Sequence, residues 1–468
     1  MQPISEKKKI IFLSVIALVI TGLYISLCFN QNIWTDEAFT IDLLNRQQTF
    51  GEIASYTATD VHPPLYYFIL KCFTEVFGVH FWLIKLLSVL PVLLLFLLDM
   101  IWVRKRFGAR TACLFLLLFA AVPSTMEYAV QMRMYAWCML FVTGCACAAW
   151  DAFVREKNGS FIWMGVCGVC AAYSHYFAFV AILWMYGFLF LAFVFRRSGK
   201  ALLKWLMMAV LSAAAYLPWM KYFLYQIRGV SNSYWIPEIT SAVIRDYFRW
   251  IFETDYPAVT ALCQILFAAG IIGLAGLMIA HRGKRGRDYA ALFSLLIPIL
   301  VVATGVVLSK LIRPIFIIRY LMPAVPLLCL SAALVFANLS GRVCAVLAAA
   351  LVSLLALDYR TEYFVEYRST DTDATLALLH ENMGENDIIL YNYKLYDFIY
   401  QCYFDDEQLV YMEDMDFASD YDRIWFLCTV YNPMPNAQVL ADNGWSISYV
   451  GDYGIEQNEF WIYVMSRE

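Results

Sequence analysis

Charged residues are scarce in this chain. Only 15% of its 468 residues are Asp, Glu, Lys or Arg, whereas a typical soluble domain carries about 25%. Hydrophobic residues make up 62%, so too few polar side chains remain to cover one ordinary soluble core. The same composition excludes a disordered chain, a collagen and a small disulfide-stapled secreted domain. We therefore expect an integral membrane protein.

Clustered metal ligands and glycine-rich phosphate loops are also lacking. The 13 cysteines lie mostly within apolar runs, where a thiol behaves as a small hydrophobic group. Cys167 and Cys170 have the C-x-x-C spacing, but neither a second pair nor a histidine cluster accompanies them, so no zinc site is predicted. No glycine-rich loop occurs in the tail. The absence of an internal repeat counts against transporters built from repeated halves.

The few charges are divided unevenly along the chain. Residues 358–468 hold 5 Lys and Arg against 22 Asp and Glu, whereas residues 1–357 hold 29 against 16. Such an acidic tail would repel the phosphates of nucleic acids, so no nucleic-acid partner is expected. The division predicts a basic membrane part, 1–357, followed by an acidic domain, 358–468.

Eleven stretches are long and apolar enough to be transmembrane helices, which need about 20 residues. We therefore expect a polytopic α-helical membrane protein. The stretches lie near residues 10–29, 82–103, 111–126, 135–153, 161–175, 177–195, 204–222, 257–280, 289–309, 319–338 and 341–357.

Short basic segments predict the orientation of these helices. Placing the N-terminus in the cytoplasm puts 18 Lys and Arg on the inner side, in the N-terminal segment and five short loops. A multi-pass cell-membrane protein with an extracytoplasmic C-terminal domain follows. Two long loops, about 30–80 and 223–256, then also lie outside, and loops of that size are usually functional.

The acidic tail has the pattern of a small α/β domain with a parallel or mixed sheet. Helical patterns alternate with strand patterns. The predicted strands are Asp387–Tyr391, Gln408–Met412, Arg423–Cys428, Ser446–Val450 and Phe460–Met465, and the predicted helices are about Asp373–Asn382, Leu395–Tyr403 and Asn436–Asp442.

The first outer loop opens with two adjacent carboxylates, Asp36 and Glu37, directly after the first span. At a fixed distance from the lipid, they suit a general base or a divalent-metal site. The alternative is a helix cap, in which Thr35 or Asp36 starts a helix next to the membrane. The two interpretations are compatible.

A second polar group, Asp60 and His62, precedes the proline pair Pro63-Pro64. Two prolines place a helix start after His62, and a helix N-terminus preceded by His and Asp suits a phosphate or a metal. The alternative is an interfacial proline turn within an aromatic belt.

Three more polar side chains, Arg133, His175 and Arg319, map to the outer ends of predicted spans. An arginine in such a place suits a phosphate, although a snorkelling interface anchor is the competing interpretation for Arg133. His175 is either a functional group or a packed structural histidine.

Five motifs occur in an order that resembles the GT-C membrane glycosyltransferases, in the branch named for dolichyl-phosphate-mannose–protein mannosyltransferases and including the bacterial lipid A aminoarabinose transferase. The motifs are W-T-D-E-A-F-T at 34–40, D-V-H-P-P-L-Y-Y at 60–67, R-M-Y-A at 133–136, S-H-Y at 174–176 and R-Y-L-M-P at 319–323.

The resemblance implies a GT-C-like fold and an inverting transferase that takes a sugar from a polyprenyl phosphate in the outer leaflet. Asp36 matches the essential acidic residue of the family, and Glu37 fills the neighbouring position. A divalent metal would involve Asp60 and Glu37. The acceptor would be a protein, a lipid or a glycan, and membrane lipids surround the enzyme. The residues expected around the donor phosphate are His62, Arg133, Tyr135, His175 and Arg319.

Two other classes of function stay open. A secondary transporter or flippase would place ionisable residues near the membrane midplane, whereas here they gather at one face. A receptor-like protein whose tail binds a partner would tolerate the loss of Asp36.

Overall fold

The structure is a computed structural model that describes residues 5–29, 32–47, 49–59, 61–232, 236–254, 256–281, 286–364, 371–430 and 434–467. The chain divides into two compact units. We call Met1–Phe29 with Gln47–Thr361 the membrane unit, and Asn30–Arg46 with Glu362–Glu468 the C-terminal unit.

The membrane unit is built from long apolar helices. Among the described residues, nine helices are long and apolar enough to span a membrane. They are α1 (Glu6–Leu27), α5 (Phe81–Leu98) continued through a π-helical turn (Asp99–Val103) into α6 (Arg104–Phe107), α9 (Tyr135–Arg155), α11 (Tyr176–Phe195), α12 (Gly199–Asn232), α14 (Pro257–Ala280), α15 (Gly286–Leu311), a 3-10 turn (Ile318–Ala324) with α16 (Val325–Phe336), and α17 (Gly341–Phe364).

The other two predicted spans are also helical, but each departs from a straight transmembrane helix. The third is broken into α7 (Ala109–Ala120) and α8 (Pro123–Val130), which meet at 75°. Pro123 explains the break, because proline disfavours helical backbone in the residue before it. The fifth is the 15-residue α10 (Asn158–Ala172), which at 1.5 Å per residue is about 22 Å long.

The remaining helices of the membrane unit come from the two long loops. The first loop contributes α3 (Phe50–Thr59) and α4 (Leu65–Phe77), and the second contributes α13 (Ser241–Trp250). The prediction that a helix starts after His62 is correct, with Pro64 as the residue before α4. About a third of the predicted second loop is helical continuation of α12, which runs on to Asn232.

Small residues allow close packing around the most buried span. Gly270 of α14 lies against Ala332 of α16, and Gly273 of α14 lies against Val335. A glycine brings two membrane helices together where lipid offers no hydrophobic driving force. The span Ile318–Phe336 is consequently buried on most sides.

The C-terminal unit contains a five-stranded mixed sheet of order β2-β1-β3-β5-β4. β1 pairs in parallel with β2 and β3, and β5 pairs antiparallel with β3 and β4. All five strands were expected from the sequence, including β3 with its bounds. The strands are β1 (Ile388–Tyr391), β2 (Leu409–Tyr411), β3 (Arg423–Cys428), β4 (Trp445–Ile455) and β5 (Asn458–Arg467).

The described residues of the C-terminal unit also include four α-helices. α18 (Thr372–Asn382), α19 (Asp397–Tyr400) and α20 (Ala437–Asp442) fall where the sequence predicts helices. The fourth, α2 (Thr35–Arg46), comes from the start of the first outer loop. The core beneath the sheet includes Leu390, Phe426 and Met465, each fully buried.

Candidate functional site

Four polar residues of the membrane unit gather where separate elements begin. His62 precedes α4, Arg133 precedes α9, His175 precedes α11, and Arg319 lies in the 3-10 turn before α16. Three of them, His62, Arg133 and His175, are buried. Residues far apart in sequence therefore share one end of the helix bundle.

Local structure explains the placement of the two histidines. The N–H of Leu65, at the start of α4, donates to the carbonyl of Tyr173 at 3.0 Å, which joins the proline loop to the hinge before α11. At that hinge, the Nδ1 atom of His175 accepts the N–H of Phe177 at 3.1 Å and caps α11. Because Nδ1 is the acceptor, the neutral ring carries its proton on Nε2.

His175 is the centre of a group of rings. Its centroid lies 5.6 Å from that of His62, 5.8 Å from that of Tyr135 and 4.9 Å from that of Tyr320. The ring of Phe177 stacks on Tyr320 at 5.4 Å. These contacts bring together residues from four of the five sequence motifs.

The charge environment of His175 is strongly positive. Burial lowers the pKa of His175 well below its ordinary value, and electrostatic interactions with His62, Arg133 and Arg319 lower it further. The ring lies outside the spans, in the linker between α10 and α11. It therefore stays neutral near pH 7 and offers an N–H donor beside a concentration of positive charge, which suits an anion.

Arg133 is not a snorkelling anchor. Its side chain is 2% exposed, whereas an interface anchor keeps its charged head in water. The competing interpretation of this residue is therefore wrong. The roles predicted for Arg133, His62, His175, Tyr135 and Arg319 at a donor phosphate stay predictions, although the structure places these residues in one group.

A large cavity opens beside this group. We call it the α11 cavity; its volume is about 650 Å³, within the range of ligand sites. One end carries both histidines, while most of its wall is aliphatic or aromatic. The lining residues are Val61, His62, His175, Tyr176, Phe177, Phe179, Val180, Leu183, Trp184, Gly187, Phe223, Gln226, Ile227, Thr304, Leu308, Ile312, Ile315 and Tyr320.

A chain of hydrogen bonds forms part of the cavity wall. Gln226 of α12 donates to the carbonyl of Thr57 at 2.9 Å and accepts from the hydroxyl of Tyr176, which in turn accepts the indole N–H of Trp219 at 3.0 Å. A separate bond of 3.0 Å joins the indole of Trp184 to the hydroxyl of Thr304. The wall is therefore polar at a few points and apolar elsewhere.

The second outer loop contributes to the same region. The α12 extension supplies Phe223, Gln226 and Ile227 to the cavity wall. In α13, the hydroxyl of Tyr247 donates to the carbonyl of Phe316 at 2.8 Å. Because the Phe316 ring lies 4.9 Å from that of Phe177, α13 is connected through Phe316 to the cavity wall.

The two predicted catalytic carboxylates lie in the C-terminal unit. Asp36 and Glu37 occupy the first turn of α2, and Glu37 is 1% exposed. Its carboxylate accepts the N–H of Trp34 at 3.2 Å, as the acidic member of a capping box does. Glu37 thus caps the start of α2, and the neighbouring Asp36 is half-buried.

The predicted metal site is not assembled by the described residues. Asp60 lies outside them, and Glu37 is buried as a cap. In the part of the chain that the structure describes, no group of three or more His, Cys, Asp or Glu side chains could hold a metal ion.

Sequence reasoning missed part of the cavity wall. Tyr176 and Tyr320 stand within the quoted motifs, beside residues that were singled out. None of the five motifs includes Gln226, Trp184 or Thr304. The only feature of the sequence that could have indicated them is a side chain with polar atoms within an apolar helix. Those three positions become neighbours of the site only through packing of α11, α12 and α15.

Comparison with known sequences finds a family match for part of the chain. Residues 61–222 match the family model described as dolichyl-phosphate-mannose-protein mannosyltransferase. The matched range includes His62, Arg133, Tyr135 and His175, whereas Asp36 and Arg319 lie outside it. Among curated proteins, none matches the chain.

Comparison with solved structures concerns nearly the whole chain. This chain is similar to ArnT from Cupriavidus metallidurans in the apo state, with a TM-score of 0.59 and 12% sequence identity. The match covers 97% of each chain. It is also similar to the same protein bound to undecaprenyl phosphate, with a TM-score of 0.58 and 12% identity, covering 99% of this chain and 98% of that one. The expected fold class and the GT-C resemblance are confirmed.

Proposed function

We propose that this protein is a membrane glycosyltransferase that moves a sugar from a polyprenyl phosphate to a hydroxyl or other nucleophile on an acceptor. One observation carries the proposal. A large, mostly apolar cavity has two buried histidines at one end, and one of them, His175, interacts electrostatically with Arg133 and Arg319. A polyprenyl chain needs the apolar wall, and its phosphate needs the cations. ArnT bound to undecaprenyl phosphate, which has the same fold, supports this donor.

The donor phosphate would be held by Arg133, Arg319 and His62. Arginine binds phosphate oxygens in a forked geometry, and charge-assisted hydrogen bonds are about twice as strong as neutral ones. Neutral His175 would add an N–H donor, and Tyr135 packs against it. As the sugar–oxygen bond breaks, these groups stabilise the charge developing on the leaving phosphate.

The chemistry needs a base more than an acid, because polyprenyl phosphate leaves as a stable anion. Asp36 would take the proton of the acceptor nucleophile while that atom attacks the anomeric carbon. The new glycosidic bond forms as the carbon–oxygen bond to phosphate breaks, and both electrons of that bond stay with the phosphate. Attack from the opposite face inverts the anomeric carbon. Glu37 fixes the start of the helix that carries Asp36.

The proposal also concerns the classes of sugar and acceptor and the side of the membrane on which transfer occurs. The family match supports a mannosyl donor, and other hexoses or pentoses are candidates within the same class. The acceptor is a protein, a lipid or a glycan. We place the reaction on the extracytoplasmic face of the cell membrane, with the N-terminus in the cytoplasm, because the short basic loops favour that orientation.

The test is a transfer assay with purified protein in liposomes. Labelled polyprenyl-phosphate mannose and a panel of acceptors are supplied, and release of polyprenyl phosphate is followed for wild type, Asp36→Asn and the surface control Asp442→Asn. We expect Asp36→Asn to lower release by at least about 100-fold, the usual contribution of a general base. The control should match wild type.

Other outcomes count against specific parts of the proposal. Equal turnover by Asp36→Asn, with the same thermal stability, removes Asp36 from catalysis. Movement of intact donor across the liposome without cleavage would identify a flippase. The metal requirement is tested by adding EDTA to the same assay: activity that stops and returns with a divalent ion would establish one.

A further inference from the structure

The chain segment that leads into α2 is held by Glu456, a residue more than four hundred positions away in the sequence. Glu456 lies in the turn between β4 and β5 and is 7% exposed. One of its carboxylate oxygens accepts the N–H of Ile33 at 2.7 Å, and its main-chain carbonyl accepts the side-chain amide of Asn32 at 2.9 Å. These bonds hold the backbone three residues before Asp36.

The other contacts of Glu456 fix the carboxylate itself. The hydroxyl of Tyr403 donates to its second carboxylate oxygen. Its own N–H donates to the hydroxyl of Thr372 at 2.8 Å. An ionised carboxylate is a pure acceptor, so both oxygens are matched to donors. The side chain therefore has little freedom to move.

The backbone at Glu456 makes the choice of residue informative. Its φ angle is +57°, in the left-handed region that favours glycine. A non-glycine residue there is strained unless its surroundings compensate. A turn with a purely structural role would be served better by glycine. The contacts of the carboxylate supply a reason for glutamate.

Further contacts join the middle and the end of α2 to the rest of the C-terminal unit. In the middle of the helix, the Phe39 ring meets the edge of Phe398 at 5.5 Å. At its end, Arg46 donates to both carboxylate oxygens of Asp406 at 2.9 Å. The helix carrying Asp36 is thus tied to the C-terminal unit before its start, at its middle and at its end.

We propose that Glu456 is a positioning residue for Asp36, and that the C-terminal unit is the frame on which the catalytic base is mounted. This inference rests on the proposed function, because it needs Asp36 to be the base. It assigns the acidic C-terminal unit a part in catalysis itself. Loss of the carboxylate would let the segment before α2 shift while the sheet stays folded.

The experiment compares Glu456→Gly and Glu456→Gln with the neighbouring exposed control Glu459→Gln, in the full-length protein. Glycine relieves the backbone but removes the carboxylate, so kcat should fall by about 10- to 100-fold, the effect of a misplacement of about 1 Å. KM for the donor should stay within about twofold, because the described residues that line the α11 cavity all belong to the membrane unit. Glutamine keeps one acceptor oxygen and should restore part of kcat.

Hydrogen exchange supplies the second measurement. In Glu456→Gly, amide exchange should rise across residues 33–46 and stay unchanged in β1 and β3. Normal kcat in Glu456→Gly would overturn the inference, as would equal losses in kcat and in donor binding with exchange raised throughout the sheet. If Glu456→Gly does not fold, Asp406→Asn loosens the other end of α2 and should lower kcat alone; unchanged kcat there counts against the frame.

The two proposals fail in different ways. A wild-type protein that releases no polyprenyl phosphate with any acceptor contradicts the proposed function. A wild type that is active, an Asp36→Asn variant that is not, and a Glu456→Gly variant that equals wild type contradict only the positioning role.

Discussion

The N–H of Leu65 donates a 3.0 Å hydrogen bond to the carbonyl oxygen of Tyr173. This bond joins the proline loop after residue 60 to the hinge between α10 and α11. It places His62 beside His175, with ring centroids 5.6 Å apart. Two motifs more than a hundred residues apart thus form one wall of the α11 cavity.

The buried arginine that interacts electrostatically with His175, Arg133, should control donor affinity. We expect Arg133→Gln to raise KM for the polyprenyl-phosphate donor by about 10- to 100-fold, because a hydrogen bond to a charged group contributes about 1.5–3 kcal/mol. Steady-state kinetics against donor concentration measure the effect. Arg245→Gln, which removes an exposed arginine of α13, is the matched control. Unchanged KM in Arg133→Gln would place the phosphate elsewhere.

The apolar part of the cavity should set the fit of the prenyl chain. Gly187 lines the cavity, and a Cβ atom added there meets no other atom within 4 Å. A leucine at this position fills cavity space that the donor's prenyl chain would occupy. Gly187→Leu should therefore raise KM about 10-fold for a long-chain donor, which corresponds to the binding free energy lost when about two methylene groups are no longer buried. A short-chain donor analogue should lose less.

The control for this prediction is Gly276→Leu in α14, where a Cβ atom also meets nothing within 4 Å. Both variants should keep or slightly raise thermal stability, because glycine in a helix costs about 0.5–1 kcal/mol relative to alanine. Equal KM values in the two variants would show that the donor chain does not pass Gly187.

The histidine at the centre of the site should make stability depend on pH. Burial, together with electrostatic interactions with His62, Arg133 and Arg319, lowers the pKa of His175 in the folded protein, whereas its pKa in the unfolded chain is about 6.5. Above pH 6.5 both states are neutral and His175 contributes nothing. As the pH falls below 6.5 only the unfolded state gains the proton, so the free energy of unfolding falls, by at most about 1.4 kcal/mol per pH unit.

Thermal unfolding between pH 7.5 and 5.0 measures this dependence. His175→Gln should show a shallower fall of the melting temperature than wild type below pH 6.5. The exposed His80 offers the control His80→Gln, which should follow the wild-type curve. A wild-type curve with the same slope as His175→Gln would mean that His175 takes up its proton in the folded state.

A glycine behind the cavity wall should tolerate no side chain. A Cβ atom at Gly305 of α15 would collide with the ring of Phe316, which packs on Phe177. Overpacking of this kind costs about 1–3 kcal/mol, so Gly305→Ala should lower the melting temperature and raise KM for the donor together. Gly187→Ala, in open space, is the comparison. A stable Gly305→Ala variant with normal KM would show that the Phe316 ring can move freely.

Much of the fold could be predicted because its signals are local. Apolar runs of about 20 residues identify helices that cross lipid, since every backbone polar group must be satisfied within such a helix. Alternating strand and helix patterns predicted the sheet of the C-terminal unit, down to the bounds of β3. The prolines after His62 predicted the start of α4, because they restrict the backbone directly. The break at Pro123 was missed, as the apolar run continues through it.

The candidate site was predictable only as a set of residues. The motifs named His62, Arg133, Tyr135, His175 and Arg319 by residue type and position at the ends of spans. Their grouping around one ring depends on how four elements pack. The positions of these residues in the sequence do not indicate how the elements pack. For the same reason, the sequence did not show whether Arg133 is buried or snorkels to the membrane interface.

The sequence by itself determined that this is a polytopic membrane protein, where its spans lie, and which polar residues stand at their ends. Those properties depend on hydrophobicity and short-range backbone preferences. The tertiary structure alone decided that α2, with Asp36, belongs with residues from the far end of the chain. The hydrogen bond from Ile33 to Glu456 spans more than four hundred residues, and only folding brings such groups within 2.7 Å.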